Sequence, residues 1–316
     1  MLSRVAENIY WLSRYVERAE NTARLVRVNS HLVLDTPRGI TPGWEPLVEI
    51  TGLSAAFQSV EREPSERNVV RFLIGDAHNP GSILSSLAAA RENCRTVRDV
   101  LPRSSWEKLN ELYLFAKENV QSGLTKSGRD AFLDGIITGS QQIVGLLGSV
   151  MYRDEAWHFA RIGRNLERAD MTTRIIDVRS TDLFPDDLLE SRSLDTLQWI
   201  SVLRSMSGYQ IYRRHVAIRV SRADVLEFLF HDLLFPRSFL HCIEAVDESI
   251  AKLDNSAAVL RGIRALKRTL RQTTVGEMTQ ASLHEFIDEL QIGITDLHAV
   301  LAKTYFPPPL VLEEAG

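Results

Sequence analysis

One stretch of this chain occurs twice, 150 residues apart and without a gap. Arg14-Tyr15-Val16-Glu17-Arg18-Ala19-Glu20-Asn21-Thr22-Ala23-Arg24 returns as Arg164-Asn165-Leu166-Glu167-Arg168-Ala169-Asp170-Met171-Thr172-Thr173-Arg174. The identical pairs are Arg14/Arg164, Glu17/Glu167, Arg18/Arg168, Ala19/Ala169, Thr22/Thr172 and Arg24/Arg174, and Glu20/Asp170 keeps the charge. At about 100° per residue on a helix, Arg14, Glu17, Arg18, Asn21 and Arg24 share one sector, while Ile9, Leu12, Val16, Ala19 and Ala23 lie opposite. A merely solvated face needs charge but not identity. Here the polar face keeps all its residues but Asn21 and the apolar face varies except at Ala19, so the polar stripe answers a geometric demand.

A second block repeats at an offset of 156. Val70 to Ser82 matches Leu226 to Ser238, with Phe72/Phe228, Leu73/Leu229, Asp76/Asp232, Pro80/Pro236 and Ser82/Ser238 identical. The pattern predicts a short apolar helix ending near Asp, then a helix opened by Pro at its first position with Ser two residues on. Two ordered blocks imply one duplicated unit with a loop insertion between them. The halves run 1–148 and 149–306, packed as one domain, with a tail at 307–316.

Strand signals are nearly absent. Helical patterns run to about Leu34 and over Trp44–Val60, Trp106–Val120, Phe132–Tyr152, Leu194–Tyr212, Asp224–Phe230, Ser238–Leu253, Ser256–Arg271 and Leu283–Leu301; Glu61–Arg67 reads as a loop. The fold class is all-α, an internally duplicated helical bundle with pseudo-two-fold symmetry. Phe132–Tyr152 is the most membrane-like segment. Asp134, Gln141 and Gln142 within it point to a buried helix or pair of helices rather than a span.

The net charge of −4 gives no general pull toward nucleic acid or an anionic membrane. Cys94 and Cys242 lie far apart within apolar helical patterns, which fits core positions and a reducing, cytoplasmic setting. No Walker-type loop, nucleophile elbow or His-Glu-x-x-His occurs. Glu155-Ala156-Trp157-His158 has the spacing of a di-iron half-motif, but the offset places Asn8 opposite His158. No metal site is expected, and His158 reads as a partly buried, hydrogen-bonded core residue. Arg91, Arg95 and Arg98, and Arg261, Arg264, Arg268 and Arg271 beside Lys267, read as solvated faces, with docking of an acidic partner as the alternative.

Two readings of the Glu–Arg stripes stand side by side. One is an ion-pair network tying two helices together. The other is a substrate pocket at their meeting point, formed by Arg14, Glu17, Arg18, Asn21, Arg24, Arg164, Glu167, Arg168 and Arg174. No catalytic constellation is evident.

The repeated motif resembles the bacterial alpha-E family, named for a helical domain with a Glu-Arg motif. Tyr10 to Asn21, Ala90-Arg91-Glu92-Asn93, Asn165 to Thr172, Ser207-Gly208-Tyr209 and Phe235-Pro236-Arg237-Ser238 carry the likeness. The resemblance points to Glu17, Arg18, Glu167 and Arg168 without assigning a reaction. It implies a partner, a circularly permuted ATP-grasp protein, with a transglutaminase-like peptidase as a possible third component. The expected function is therefore that of a partner subunit in an ATP-dependent amide-forming or peptide-modifying system, acting on a peptide or amino acid. ATP and Mg would belong to the ligase, and this chain would bind no cofactor. A stand-alone enzyme for an amine or carboxylate substrate, and a non-catalytic scaffold, are the alternatives.

Overall fold

The computed structural model describes residues 1–36, 43–60, 63–181 and 192–307. Everything regular among them is helical, as the periodicity predicts. The chain opens with α1 (Ser3–Asp35), about 50 Å long at 1.5 Å per residue. Then come α2 (Glu45–Ile50), α3 (Ser54–Gln58), α4 (Glu66–Gly75), α5 (Ile83–Thr96), α6 (Arg103–Leu124) and α7 (Lys126–Val150). The second half contributes α8 (Glu155–Thr181), α9 (Arg192–Ser205), α10 (Tyr209–His215), α11 (Arg222–His231), α12 (Phe239–Ile250), α13 (Ala257–Arg271) and α14 (Gln280–Tyr305). A 3₁₀ turn, Val275–Glu277, precedes the last helix.

The two helices that bear the Glu–Arg motif lie against each other at the centre. α1 packs on α8, and also on α5, α7 and α9; α8 packs in turn on α12, α14 and α2. Ile9, Leu12, Val16, Ala19 and Ala23 are buried on one side of α1, and the polar stripe is buried on the other. A helix covered all round must find partners for every charge it carries. Gly163 sets the closeness of the crossing, because a Cβ there would run into the carbonyl oxygen of Tyr10 on α1.

Several boundaries differ from the sequence expectation. Trp44–Val60 is two helices, because Gly52 takes φ +70° and reverses the chain between α2 and α3. Leu194–Tyr212 likewise breaks at Ser207, φ +55°, where the Gly208 amide closes onto Leu203 O at 2.8 Å. Helix α4 starts at Glu66, inside the expected loop, while 61–62 lie outside the described residues. Of the 307–316 tail, only Pro307 is described.

Pro80 and Pro236 do not open helices. They precede the caps, and Ser82 and Ser238 are the N-cap residues, accepting from the amides of Ser85 (3.2 Å) and His241 (3.1 Å). A side-chain acceptor at the N-cap satisfies a first-turn N–H that the Pro ring could not. Asp76 and Asp232 cap the ends of the preceding helices in extended conformation.

The segment Phe132–Tyr152 falls in a single helix, α7, as far as Val150, with Phe132, Leu133, Ile136, Ile143 and Leu147 inward; Val150 and, beyond the helix end, Tyr152 are exposed. No helix among the described residues is long and apolar enough to cross a membrane.

Candidate functional site

At the crossing each helix gives its Glu to the arginines of the other. Glu167 of α8 receives Arg14 Nε at 2.7 Å, and Arg18 through both Nε (2.6 Å) and Nη2 (3.1 Å). Glu17 of α1 faces Arg168 Nε at 2.9 Å, an ion pair whose N–H is poorly aligned with the oxygen. Both carboxylates are almost wholly buried, at 0% and 2% exposure. Glu17 thus meets Arg168 and Glu167 meets Arg18, each across the crossing.

The other oxygen of Glu17 is taken by a residue outside the motif. Arg237, from the loop between α11 and α12, donates Nη1 to Glu17 Oε1 at 2.7 Å and to Asn21 Oδ1 at 2.8 Å. Its Nη2 reaches Glu20 Oε1 at 2.9 Å. Arg24 also binds Glu20 and extends Nη1 to Asn21 Oδ1 at 3.4 Å, and Gln141 of α7 donates to Glu20 at 3.3 Å. The Thr172 hydroxyl, 2.9 Å from the Arg237 carbonyl, ties that loop to α8.

Burial would raise both glutamates, but the guanidiniums outweigh it. Arg14 and Arg18 hold Glu167 down at about 2, and Arg168 and Arg237 hold Glu17 down at about 2. Among the described residues Arg164 has no ion pair, and its buried Nε lacks a partner. Burial and the neighbouring Arg168 push it down to about 10. Burial and the adjacent Arg237 do the same to Arg24, also to about 10. Arg14 is supported from behind by the Tyr10 hydroxyl, 3.1 Å from its Nη1 and 2.8 Å from His298 Nδ1.

On the Glu167 side the crossing opens into a cavity of about 260 Å³. Arg14, Arg18 and Thr22 of α1 form one wall and Glu167, Asp170 and Arg174 of α8 the other, while Pro80 and Gly81 cover it from the loop before α5. Arg174 Nε donates to Asp170 at 3.0 Å. Burial raises the Asp170 carboxyl despite Arg174. Of the nine residues assigned to a pocket from sequence, Arg14, Arg18, Glu167 and Arg174 reach this cavity. Glu17, Asn21, Arg24 and Arg168 are absorbed in the closed network around Arg237. Arg164 borders a different cavity of about 80 Å³ with Leu12, Ser13 and Trp157.

Arg261, Arg264, Arg268 and Arg271 are exposed along α13, as expected of a solvated face. Arg91 donates to Asn110 at 2.8 Å and lies over the rings of Trp106 and Tyr113, docking α5 on α6, while Arg95 and Arg98, the latter over Trp106, stay exposed as expected of a solvated face. Arg95 pairs with Glu92, and Lys267 binds Glu244 and Asp247 of α12. His158 is half-buried as expected, but its Nδ1 has no partner, contrary to the hydrogen-bonded role expected. Its neighbour Trp157 meets it edge to face. Cys94 and Cys242 are buried in the core.

Donors that could hold a metal converge at Asp177, His284 and Asp288, where His284 Nδ1 lies 2.8 Å from Asp177. That cluster is largely exposed, and its geometry is already that of an ion pair.

A long helix crossed by a second, with reciprocal buried Glu–Arg pairs at the crossing, defines an all-helical protein built on a paired Glu-Arg motif. The chain belongs to the Alpha-E family, described as "a predicted alpha-helical domain with a conserved ER motif", whose profile matches residues 1–306. An uncharacterized protein of Mycobacterium bovis is 25% identical over 94% of this chain. Uncharacterized proteins of two Mycobacterium tuberculosis strains, CDC 1551 and H37Rv, are 25% and 24% identical over the same share. The chain spans about a third, 35%, of the length of these curated relatives. No solved structure matches the chain significantly.

Proposed function

We propose that this protein is the partner subunit of an ATP-grasp ligase in an ATP-dependent amide-forming or peptide-modifying system, and that it holds a substrate at the Glu–Arg crossing. The observation that carries the ligand role is the cavity of about 260 Å³ beside Glu167, which four of the nine residues assigned from sequence help to line. Two of its arginines keep unused N–H groups. ATP and Mg belong to the ligase, and the helical chain positions the molecule that the ligase activates. The curated relatives, about three times as long as the match, suit a helical unit that works alongside a further polypeptide. A cytoplasmic location belongs to the same proposal.

Duplication of one ancestral unit is part of this reading. It is supported by α1 packing on α5, α7 and α9 where α8 packs on α12, α14 and α2, partners that stand seven helices apart. A tagged pull-down from the native organism tests the partnership. An ATP-grasp protein should co-elute in near-equal amount, and the mixture should form an amide with consumption of ATP. Recovery of the chain alone would sink the partner role.

A further inference from the structure

The two repeated motifs build two seats at the crossing, and only one is filled. In the filled seat, Glu17, Glu20 and Asn21 of α1 receive the guanidinium of Arg237. The corresponding residues of the other seat are Glu167, Asp170 and Met171, and the loop residue that matches Arg237 at the offset of 156 is Gly81. Where one loop sends in a guanidinium, the other sends nothing, and the cavity of about 260 Å³ lies there.

The polar groups around this cavity have bonding capacity left over. Thr172 bonds the Arg237 carbonyl, whereas its counterpart Thr22, fully buried on the cavity wall, has a hydroxyl without a partner among the described residues. Arg24 spends both terminal nitrogens on Glu20 and Asn21. Its counterpart Arg174 uses only Nε, on Asp170, and its terminal nitrogens run past Gly52, where a Cβ would stand 2.7 Å from Nη1. Arg18 keeps Nη1 uncommitted by any hydrogen bond. Both oxygens of Glu167 are already taken by Arg14 and Arg18. The wall thus sets three guanidiniums against two carboxylates, with its spare capacity in N–H donors. A cation would find one half-used carboxylate among three like charges. An oxyanion would find two guanidiniums and a hydroxyl.

We propose that the Gly81 seat binds a small ligand through a carboxylate or phosphate group held by Arg18, Arg174 and Thr22, and that Arg237 closes the matching seat permanently. This deepens the proposal of a ligand at the Glu–Arg crossing and rests on it.

The test is isothermal titration of the full chain with inorganic phosphate and, separately, with succinate, at constant ionic strength. One or both probes should bind saturably with one-to-one stoichiometry, and the arm that binds tells a phosphoryl ligand from a carboxylate one. Gly81→Arg should lower that affinity by about tenfold or more, because its long side chain would take up the volume the probe needs. Arg174→Gln should do the same through loss of charge-assisted bonds, and it decides the matter if Gly81→Arg does not fold. Absence of saturable binding by the unsubstituted chain, or unchanged affinity in the folded variants, overturns the proposal. Failure here with a ligase still co-eluting displaces the ligand site and keeps the partner. Binding here with the chain recovered alone keeps the seat and removes the partner.

Discussion

Glu17→Gln isolates the structural half of the site. The carboxylate is fully buried, faces Arg168 at 2.9 Å and accepts from Arg237 at 2.7 Å. The amide that replaces it has nearly the same shape but leaves two buried guanidiniums without their counter-charge. Breaking a buried pair in this way costs about 3–5 kcal/mol. The Glu17 carboxyl is held at about 2 against an ordinary 4.5, which at about 1.4 kcal/mol per unit corresponds to roughly 3 kcal/mol of preference for the ionised form. At roughly 2 °C per kcal/mol for a chain of this length, the melting midpoint should fall by about 6–10 °C. Circular dichroism at 222 nm, followed through heating, reads this directly. Adding Arg237→Met to the variant should recover part of the loss, because the second change removes one uncompensated guanidinium. A fall of less than about 2 °C in the single variant would refute the reasoning, since the network would then contribute no more than an exposed ion pair.

Acid should unfold the protein through the same groups. Glu17 and Glu167 are both depressed to about 2 from 4.5, so their contribution is complete above about pH 4.5 and is lost as pH falls toward 2. Denaturant midpoints should therefore hold steady near neutrality and drop below pH 4.5, and the drop should be shallower in Glu17→Gln. Gly163→Ala should destabilise by about 1–3 kcal/mol or more, because the added methyl meets the Tyr10 carbonyl and must part α1 from α8; chemical denaturation measures it. Burial pushes the Cys94 thiol up to about 11 and the Cys242 thiol up to about 12. Ellman's reagent at pH 7.5 should leave both untouched in the native protein and titrate both after unfolding in guanidinium chloride. Rapid labelling of the native chain would contradict their placement.

The all-helical fold was legible because apolar residues recur with helical period through almost every segment. The crossing was legible for a different reason: identity kept on two polar faces demands that they meet. That logic holds for Glu17 with Arg168 and for Glu167 with Arg14 and Arg18. It fails for Arg164, whose position relative to Glu17 is filled by a guanidinium from a distant loop.

Arg237 lies 220 residues from Glu17, and no local period could bring the two together. The signal that could have found it was present in the second repeated block, where arginine at 237 replaces glycine at 81. A change from no side chain to the largest cation, between the Pro and the Ser that both loops share, marks a place where the two segments diverge. The breaks at Gly52 and Ser207 were missed because both follow strongly helical patterns, and left-handed backbone at a single residue leaves little trace in a hydrophobic period.

The most direct measurement is a crystal structure of the full chain grown in saturating phosphate. The account predicts phosphate density beneath Gly81, within hydrogen-bonding distance of Arg18, Arg174 and Thr22, and the Arg237 guanidinium unmoved on Glu17 and Glu20. Arg237 swung away with phosphate bound in its place, or a collapsed cavity at Gly81, would contradict the division into one closed seat and one open seat.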